Sequence, residues 1–288
     1  MFLVAGATGS LGSAIVRGLL ERGDVVRALV RESADYTSLV KAGASIAVGD
    51  LREPASLVAA CDGVTTIVST ASATRRGDDT PANVDAQGNR NLIDAARRAG
   101  GGHYILISTI GASADSPVPA FRAKAEAEAA LKQSGLDYTI VQANAFMDVW
   151  FGMLIEMPLA TGQPVTLVGE AARRHSFIAE RDIVAFVLAA TKNPAARNAT
   201  LVIGGPAAVS LREVVSAYET ALGCPIDVRS VAPGDPIPGL PEPIWGIVAA
   251  LEAFDSPIPM EDTARAYGVS LTTAQDHAAR SGLAGATA

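Results

Sequence analysis

The chain has 288 residues, of which 49% are hydrophobic, and a formal net charge of −7. That length is enough to bury a large core in one domain, or in one domain with a smaller lobe. Because the charge is acidic and the basic residues cluster only in pairs such as Arg97-Arg98, the composition argues against nucleic acid or an acidic membrane surface as a partner.

The cysteines and the most apolar stretch set further limits. Cys61 and Cys224 have neither a metal-binding nor a redox spacing, and the three histidines add no metal-ligand pattern. Residues 146–160 are apolar, but they are too few to span a bilayer and include Asp148 and Glu156. We therefore expect a cytoplasmic protein with no metal site and no membrane segment.

The first predicted element is a short apolar strand that runs into three glycines, Gly6, Gly9 and Gly12. In this spacing the first glycine allows a sharp turn, the second lets backbone N–H groups approach a pyrophosphate, and the third lets the next helix pack closely. The apolar positions of residues 10–21 predict that helix, whose positive end would face the phosphates. Three glycines alone would also fit an ordinary turn, but this context predicts a nucleotide-phosphate site.

Short β-branched runs then alternate with helical patterns. The predicted strands comprise residues 25–30, 45–48, 66–70, 104–107 and 138–141. Such alternation predicts an α/β fold with a doubly wound parallel sheet of the Rossmann type, in which ligands bind outside the carboxyl ends of the strands.

Charged residues follow the second and third strands. Arg31 stands where an arginine would accommodate the 2′-phosphate of NADP and an acid would instead bind the ribose of NAD. Arg31 therefore favours NADPH over NADH, whereas Glu32 keeps NAD as an alternative, and a solvated Arg31 is a third interpretation. Asp50 would either bind an adenine amino group or cap a turn.

Small and hydroxyl residues follow the next two strands. The run Ser69 to Ala73 would allow close approach of a flat cofactor or would form a tight packing corner. A long helix is predicted over residues 83–99. The fifth strand runs directly into Ser108 and Thr109, which places two hydroxyls at the same edge of the sheet.

The character of the sequence changes after about residue 147. Strands at residues 165–168 and 201–203, with helices at 181–191 and 211–222, predict a smaller C-terminal α/β substrate lobe. Ser210 and Glu213 form a capping-box pattern, and a proline-rich loop is predicted over residues 233–243. We predict a dinucleotide-binding domain over residues 1–148 and a substrate lobe over 149–288, some of whose strands could return to the main sheet.

These residues resemble one family. The run Gly6 to Gly12, Arg31, Asp50-Leu51, Lys124 and the segment 137–147 are similar to the atypical short-chain dehydrogenases/reductases of the NmrA-like group, and within it to NADPH-dependent quinone reductases and triphenylmethane reductases. The resemblance implies an NADP site formed by Gly6, Ala7, Thr8, Gly9, Ser10, Leu11, Gly12, Arg31, Asp50, Leu51, Thr70, Ala71, Lys124, Ala143 and Asn144. The chain departs from the family at Gln142-Ala143, where Arg-Pro or Arg-Asn is common.

Ordinary members of this superfamily carry a tyrosine four residues before a lysine, and this chain does not. Lys124 is preceded at that spacing by Ala120, and none of the five tyrosines has a lysine four residues later. Because reduction of a ketone needs a proton donor, the sequence argues against a conventional alcohol dehydrogenase or a sugar-nucleotide epimerase. Hydride transfer to a quinone or a cationic dye gives a delocalised or neutral product and tolerates such a site.

Lys124 and Ser108 are the catalytic candidates. The resemblance implies that Lys124 holds the nicotinamide ribose or stabilises negative charge; the alternative is a solvated helix residue paired with Glu128. An apolar substrate pocket would be lined by Phe146, Met147, Trp150 and, from the second lobe, Trp245, although such side chains more often belong to the core.

The sequence therefore predicts an NADPH-dependent reductase that acts on small conjugated acceptors such as quinones, dyes or enones. Two alternatives stay open: an NADP-binding redox sensor without turnover, and a biosynthetic ketone or imine reductase. The expected partner is a small-molecule substrate, and both a monomer and a homodimer fit the sequence.

Overall fold

The computed structural model describes residues 1–73 and 77–283, and the chain divides into two compact units. Unit 1 comprises Met1–Ala143 and Ile183–Val202, and unit 2 comprises Asn144–Asp182 and Ile203–Ala288. The functional boundary that we predicted after residue 148 stays a prediction.

The strands are short and rich in β-branched residues. They are β1 (Phe2–Ala5), β2 (Val26–Val30), β3 (Ser45–Val48), β4 (Thr66–Ser69), β5 (His103–Thr109), β6 (Asp137–Ala143), β7 (Val165–Val168), β8 (Ala199–Ile203) and β9 (Val228–Val231).

The helices alternate with these strands and then gather towards the end of the chain. They are α1 (Ser10–Glu21), α2 (Thr37–Lys41), α3 (Pro54–Cys61), α4 (Gln87–Arg98), α5 (Pro119–Gln133), α6 (Met147–Phe151), α7 (Met157–Ala160), α8 (Glu180–Ala190), α9 (Leu211–Leu222), α10 (Glu242–Leu251), α11 (Glu261–Tyr267) and α12 (Ala274–Arg280). Two π-helical turns, Pro81–Ala86 and Gly152–Glu156, lead into α4 and α7.

A seven-stranded sheet has the order β3-β2-β1-β4-β5-β6-β8. The pairings from β3 through β6 are parallel. The strand order reverses next to β1, where Ala5 pairs with both Leu29 and Ser69. In a doubly wound sheet the carboxyl ends of the strands at this reversal form the ligand crevice.

The central strands of unit 1, β1, β4 and β5, are buried on both faces, as expected for a sheet covered by helices. Leu3 and Ala5 pack into a core that includes side chains of α3, α4 and α5, whereas Val4 is buried against the opposite face. On α1, Gly18 lies against Leu188 of α8. The Rossmann-type α/β fold predicted from the sequence is confirmed.

Unit 2 contains the parallel pair of β7 and β9 and an aromatic core. The ring of Phe151 lies 5.1 Å from that of Phe177 and 6.5 Å from that of Tyr218, in edge-to-face arrangements. The predicted capping box is present at α9: the Glu213 N–H donates to Ser210 Oγ at 3.2 Å, and the Ser210 N–H donates to Glu213 Oε2 at 2.8 Å.

Several elements differ from those predicted. β5 and β6 extend beyond the predicted strands at both ends. β8 joins the main sheet, as the prediction for strands of the second lobe allowed. The predicted helix over residues 83–99 lies within a π-helical turn and α4. β9 and α11 were not predicted. No helix in the described part of the chain is long and apolar enough to cross a membrane.

Candidate functional site

The glycine turn joins β1 to α1 at the reversal of the sheet. Gly6 has a φ of +78°, in the left-handed region that side chains disfavour. A Cβ atom on Gly12 would lie 2.2 Å from the carbonyl oxygen of Gly6, so a glycine is needed for the helix to begin this close to the turn. The Gly9 N–H donates to the same carbonyl at 3.0 Å and closes the turn.

The positive end of α1 lies at this turn. Gly9 is the N-cap residue and is exposed, as are Thr8 and Ser10, while Ala7 and Leu11 are buried. The first turn of α1 contains no acidic side chain. Because a helix begins with backbone N–H groups that lack an intrahelical acceptor, the turn fits a pyrophosphate.

Thr70 and Ala71 lie against the glycine turn and form a tight packing corner there, while their contact with a cofactor stays a prediction. The Thr70 hydroxyl donates to the Ala5 carbonyl oxygen at 3.1 Å, and the Thr70 N–H donates to the same atom at 3.0 Å. A Cβ atom on Gly6 would lie 2.5 Å from Thr70 Oγ1 and 2.9 Å from Ala71 N. Thr70 therefore fastens the ends of β1 and β4 beside the predicted phosphate site.

Arg31 follows β2 and forms a two-pronged ion pair with Asp79. Its Nη1 and Nη2 atoms lie 3.1 and 2.7 Å from Asp79 Oδ1 and Oδ2. The Asp79 side chain is 1% exposed and that of Arg31 is 30% exposed. The interpretation of Arg31 as a solvated residue is wrong, because the guanidinium is paired and the pair is largely buried. Asp79 was not among the residues predicted for the site.

Asp50 is held by its neighbour Arg52. Arg52 Nη2 lies 2.7 Å from Asp50 Oδ2, and the Arg52 N–H donates to Asp50 Oδ1 at 2.9 Å. The side-chain hydrogen bonds from Arg52 lower the pKa of the Asp50 carboxyl. Asp50 thus caps a local turn, and an adenine contact stays a prediction. The adjacent Leu51 carbonyl accepts a hydrogen bond from Asn91 Nδ2 at 2.7 Å.

Lys124 of α5 pairs with Asp85 of the π-helical turn before α4. Its Nζ lies 2.9 Å from Asp85 Oδ1, and the two side chains are 12% and 2% exposed. The same ammonium donates to the carbonyl oxygens of Ile107 at 3.2 Å and Ala71 at 3.4 Å. The interpretation of Lys124 as a solvated partner of Glu128 is therefore wrong. Asp85 also accepts a hydrogen bond from the Ala73 N–H, so it connects Lys124 to the small-residue run.

Ser108, the other catalytic candidate, donates a hydrogen bond from its hydroxyl group to the carboxylate of Glu128 on α5. Ser108 Oγ lies 2.5 Å from Glu128 Oε1, and Glu128 is buried. Gln142, the register neighbour of Ser108 on β6, donates to both Glu128 carboxylate oxygens at 2.9 and 3.0 Å. The departure from the family at Gln142 thus supplies a hydrogen-bond partner for a buried carboxylate.

The loop residues predicted to touch the cofactor belong to different units. Ala143 ends β6 in unit 1, and its carbonyl oxygen accepts a hydrogen bond from the Ile110 N–H at 3.1 Å. Asn144 belongs to unit 2, where its Oδ1 accepts from the Ala145 N–H at 2.8 Å and its Nδ2 donates to the Ser256 carbonyl at 2.9 Å. Cofactor contacts by Ala143 and Asn144 stay predictions.

The side chains predicted for a substrate pocket lie in or against the core of unit 2. Met147 is buried in that core, so the core interpretation applies to it. Trp150 and Trp245 pack against the same core, and the indole N–H of Trp245 donates to the Leu240 carbonyl at 2.8 Å. Phe146 is half-buried at the start of α6. A substrate contact by Phe146, Trp150 or Trp245 stays a prediction.

Two buried tyrosines use their hydroxyl groups in the interior. Tyr104 donates to Asn89 Oδ1 at 3.2 Å, and burial raises its pKa. Tyr218 donates to Glu156 Oε1 at 2.5 Å, and burial together with Glu156 raises its pKa as well. Neither hydroxyl ionises at neutral pH. Within residues 1–73 and 77–283, no group of three His, Cys, Asp or Glu side chains could hold a metal ion.

Comparison with known proteins identifies relatives of this chain. A model of the NAD(P)H-binding family matches residues 6–194. The chain is 36% identical over 227 residues to NAD(P)H azoreductase of Xenophilus azovorans, covering 78% of this chain and 75% of that protein. It is 36% identical over 169 residues to the photosystem II assembly factor Ycf39 of Cyanophora paradoxa, covering 59% of this chain and only 52% of that protein.

Two solved structures share the fold. Triphenylmethane reductase of Citrobacter sp. with NADP(H) has a TM-score of 0.82 at 20% identity and covers 98% of this chain and 100% of its own. The NADPH-dependent quinone oxidoreductase of Escherichia coli with NADPH has a TM-score of 0.79 at 21% identity, with coverage of 96% and 98%. At such identities these likenesses show the fold alone.

Proposed function

Because the chain belongs to the NAD(P)H-binding family, we propose that it is a reductase that transfers hydride from NADPH to a small conjugated acceptor such as a quinone, an azo compound, a cationic dye or an enone. One observation carries the proposal: the glycine turn fits a pyrophosphate, while the polar side chains at the nearby strand ends are already engaged. The names of the azoreductase, quinone oxidoreductase and triphenylmethane reductase point to the same class of acceptors.

The residues of unit 1 fit the cofactor. Backbone N–H groups at the start of α1 would hold the pyrophosphate close to the turn that Gly6 and Gly9 form, and Arg31 would face the 2′-phosphate. Thr70 and Ala71 would border the same turn and leave room for close approach. When bound, NADPH supplies the hydride.

The engaged side chains limit which acceptor can be reduced. The ammonium of Lys124 is shared by Asp85 and two carbonyl groups, so it fixes the strand ends and is not available as a proton donor. The Ser108 hydroxyl is held by Glu128. A quinone delocalises the charge it gains and a cationic dye is neutralised, so solvent can supply any proton afterwards. A simple ketone would leave a localised alkoxide without a donor, and we expect it to be a poor substrate.

A second candidate function is a regulatory protein that binds NADPH without turnover. The similarity to a protein named an assembly factor favours it, and the engagement of Lys124 and Ser108 is compatible with both candidates. The two candidates differ in whether bound NADPH is oxidised when an acceptor is added.

The deciding experiment titrates the purified protein with NADPH and NADH and then adds a quinone, an azo dye, a triphenylmethane dye, an enone and a simple ketone in turn, while the absorbance of the reduced nicotinamide is followed. We expect selective binding of NADPH and its oxidation by the conjugated acceptors. Binding without oxidation would favour the regulatory candidate, and turnover of the ketone alone would favour a biosynthetic reductase. Absence of binding to either cofactor would overturn the proposal.

Two glycine substitutions provide a matched comparison. Gly12→Ala should abolish cofactor binding, because its Cβ would lie 2.2 Å from the Gly6 carbonyl oxygen at the turn. Gly246→Ala, in α10, should leave binding unchanged, because a Cβ there meets no heavy atom within 4 Å. Equal effects of the two substitutions would contradict the placement of the cofactor at the glycine turn.

A cytoplasmic location belongs to the same proposal. The two cysteines without a disulfide spacing, Cys61 and Cys224, favour a reducing compartment. Cell fractionation would test this location, and light scattering would decide between a monomer and a homodimer.

A further inference from the structure

The surroundings of Arg31 are not those of a simple phosphate site. Arg31 and Arg52 face three carboxylates, those of Asp50, Asp78 and Asp79. Among the residues that the structure describes, two guanidinium groups against three carboxylates give this cluster one excess negative charge. A site that is ready for an anion would be expected to carry the opposite sign.

Asp79 is the carboxylate of this cluster that pairs with Arg31. Its two oxygens meet Nη1 and Nη2 of Arg31 side by side, which is the geometry in which an arginine also binds a phosphate. Its Oδ1 lies 3.3 Å from Arg52 Nη1 as well. With 1% of its side chain exposed, Asp79 is a buried carboxylate. Asp78 is 90% exposed, and its ion-pair partner within residues 1–73 and 77–283 is Arg52.

A folded segment carries Asp79. The next residue, Thr80, caps the π-helical turn: its Oγ1 accepts from the Asn83 N–H at 3.2 Å, and its N–H donates to Asn83 Oδ1 at 2.7 Å. Asn83 Nδ2 also donates to the Asp78 carbonyl at 3.1 Å. The backbone on both sides of Asp79 is therefore anchored, which explains why its carboxylate is presented to Arg31.

We propose that Asp79 competes with the 2′-phosphate of NADPH for the guanidinium of Arg31 and thereby sets the preference between NADPH and NADH. This inference rests on the proposed cofactor site. A phosphate monoester carries nearly two negative charges at neutral pH and needs the N–H groups that Asp79 now accepts from. NADH has a hydroxyl group at that position, so it can bind while the pair of Arg31 and Asp79 stays intact.

The test compares Asp79→Asn with Asp78→Asn, which removes an equal charge from the adjacent, exposed residue. Dissociation constants are measured by calorimetry for NADPH, NADH and 2′-AMP. We expect Asp79→Asn to tighten the binding of NADPH and 2′-AMP about tenfold, since one competing charge-assisted pair is removed, and to change that of NADH by less than about twofold. Asp78→Asn should change the ratio of NADPH to NADH affinity by less than about twofold.

The results distinguish a failure of the proposed competition from a failure of the proposed function. Weaker NADPH binding by Asp79→Asn, or an equal change for both cofactors, would overturn the competition. Asp79→Ser removes the same charge with a smaller side chain and must give the same shift in selectivity, so the inference does not depend on the folding of one variant. If the wild-type protein bound neither cofactor, the proposed function would fail independently of Asp79.

Discussion

The buried pair of Lys124 and Asp85 allows the structural role of the lysine to be measured. Lys124 Nζ lies 2.9 Å from Asp85 Oδ1, and the side chains of Lys124 and Asp85 are 12% and 2% exposed. At that distance the attraction between unit charges is roughly 6 kcal/mol at an effective dielectric constant of about 20. Desolvation offsets part of this attraction, but removal of one partner leaves the other charge buried and costs about 3–5 kcal/mol.

We therefore expect Lys124→Met to lower the free energy of unfolding by about 3–5 kcal/mol. Adding Asp85→Asn to the same chain should restore most of that loss, because the unpaired carboxylate is removed. Urea unfolding of the wild type, both single variants and the double variant gives these values. Lys132→Met is the control on the same helix: Lys132 is 45% exposed and 3.9 Å from Glu128, so its loss should cost less than about 1 kcal/mol.

Two results would refute this reasoning. One is a Lys124→Met protein as stable as the Lys132→Met control; the other is a double variant no more stable than Lys124→Met. The double variant also separates structure from chemistry. If it folds and binds NADPH but no longer oxidises it, Lys124 acts in the reaction as well as in the fold.

Three further predictions follow from single side chains. Arg31→Ala should weaken NADPH binding by about 1–3 kcal/mol with little effect on NADH, as measured by calorimetry, and equal losses would show that Arg31 does not bind the 2′-phosphate. Burial, with a smaller effect of Arg197, lowers the pKa of His103 to about 4. His103 therefore binds a proton more readily in the unfolded chain than in the folded one. Its protonation should lower the free energy of unfolding by about 3 kcal/mol as the pH falls from roughly 6.5 to 4, and urea unfolding of His103→Gln should show a flatter pH dependence. Burial raises the pKa of Cys61 to about 11, whereas Cys224 is exposed, so a thiol reagent should modify Cys224 quickly and Cys61 only on unfolding, as mass spectrometry of the labelled peptides would show.

Local patterns predicted the fold well. The apolar spacing of residues 10–21 and 211–222 predicted α1 and α9 with the bounds observed, because these amphipathic helices lie between clear capping signals. β5 and β6 are longer than predicted because polar residues such as Ser108 and Gln142 at their ends form hydrogen bonds in the interior. β9 was not predicted because Arg229 and Ser230 interrupt its apolar pattern.

The glycine turn could be predicted because every residue that it needs lies within a few positions. The ion-pair partners of the charged site residues could not be predicted in this way. Asp79 is 48 residues from Arg31 along the chain, and the sequence does not distinguish it from Asp78 beside it. Whether two residues so far apart in the chain form an ion pair depends on how the loop that carries Asp79 packs against the end of β2. Propensity and spacing rules contain no information about that packing.

Helix α5 holds the carboxyl end of β5 in a way that suits the proposed hydride transfer without a dedicated acid. Lys124 binds the carbonyl oxygen of Ile107, and Glu128, one helical turn later, binds the hydroxyl of Ser108. Adjacent residues of β5 are thus tied to one helix by groups of opposite charge. A reaction that depends on the orientation of donor and acceptor, and not on a delivered proton, gains from a rigid edge. Lys124 and Ser108, the two catalytic candidates, are thus engaged in contacts that fix the end of the strand.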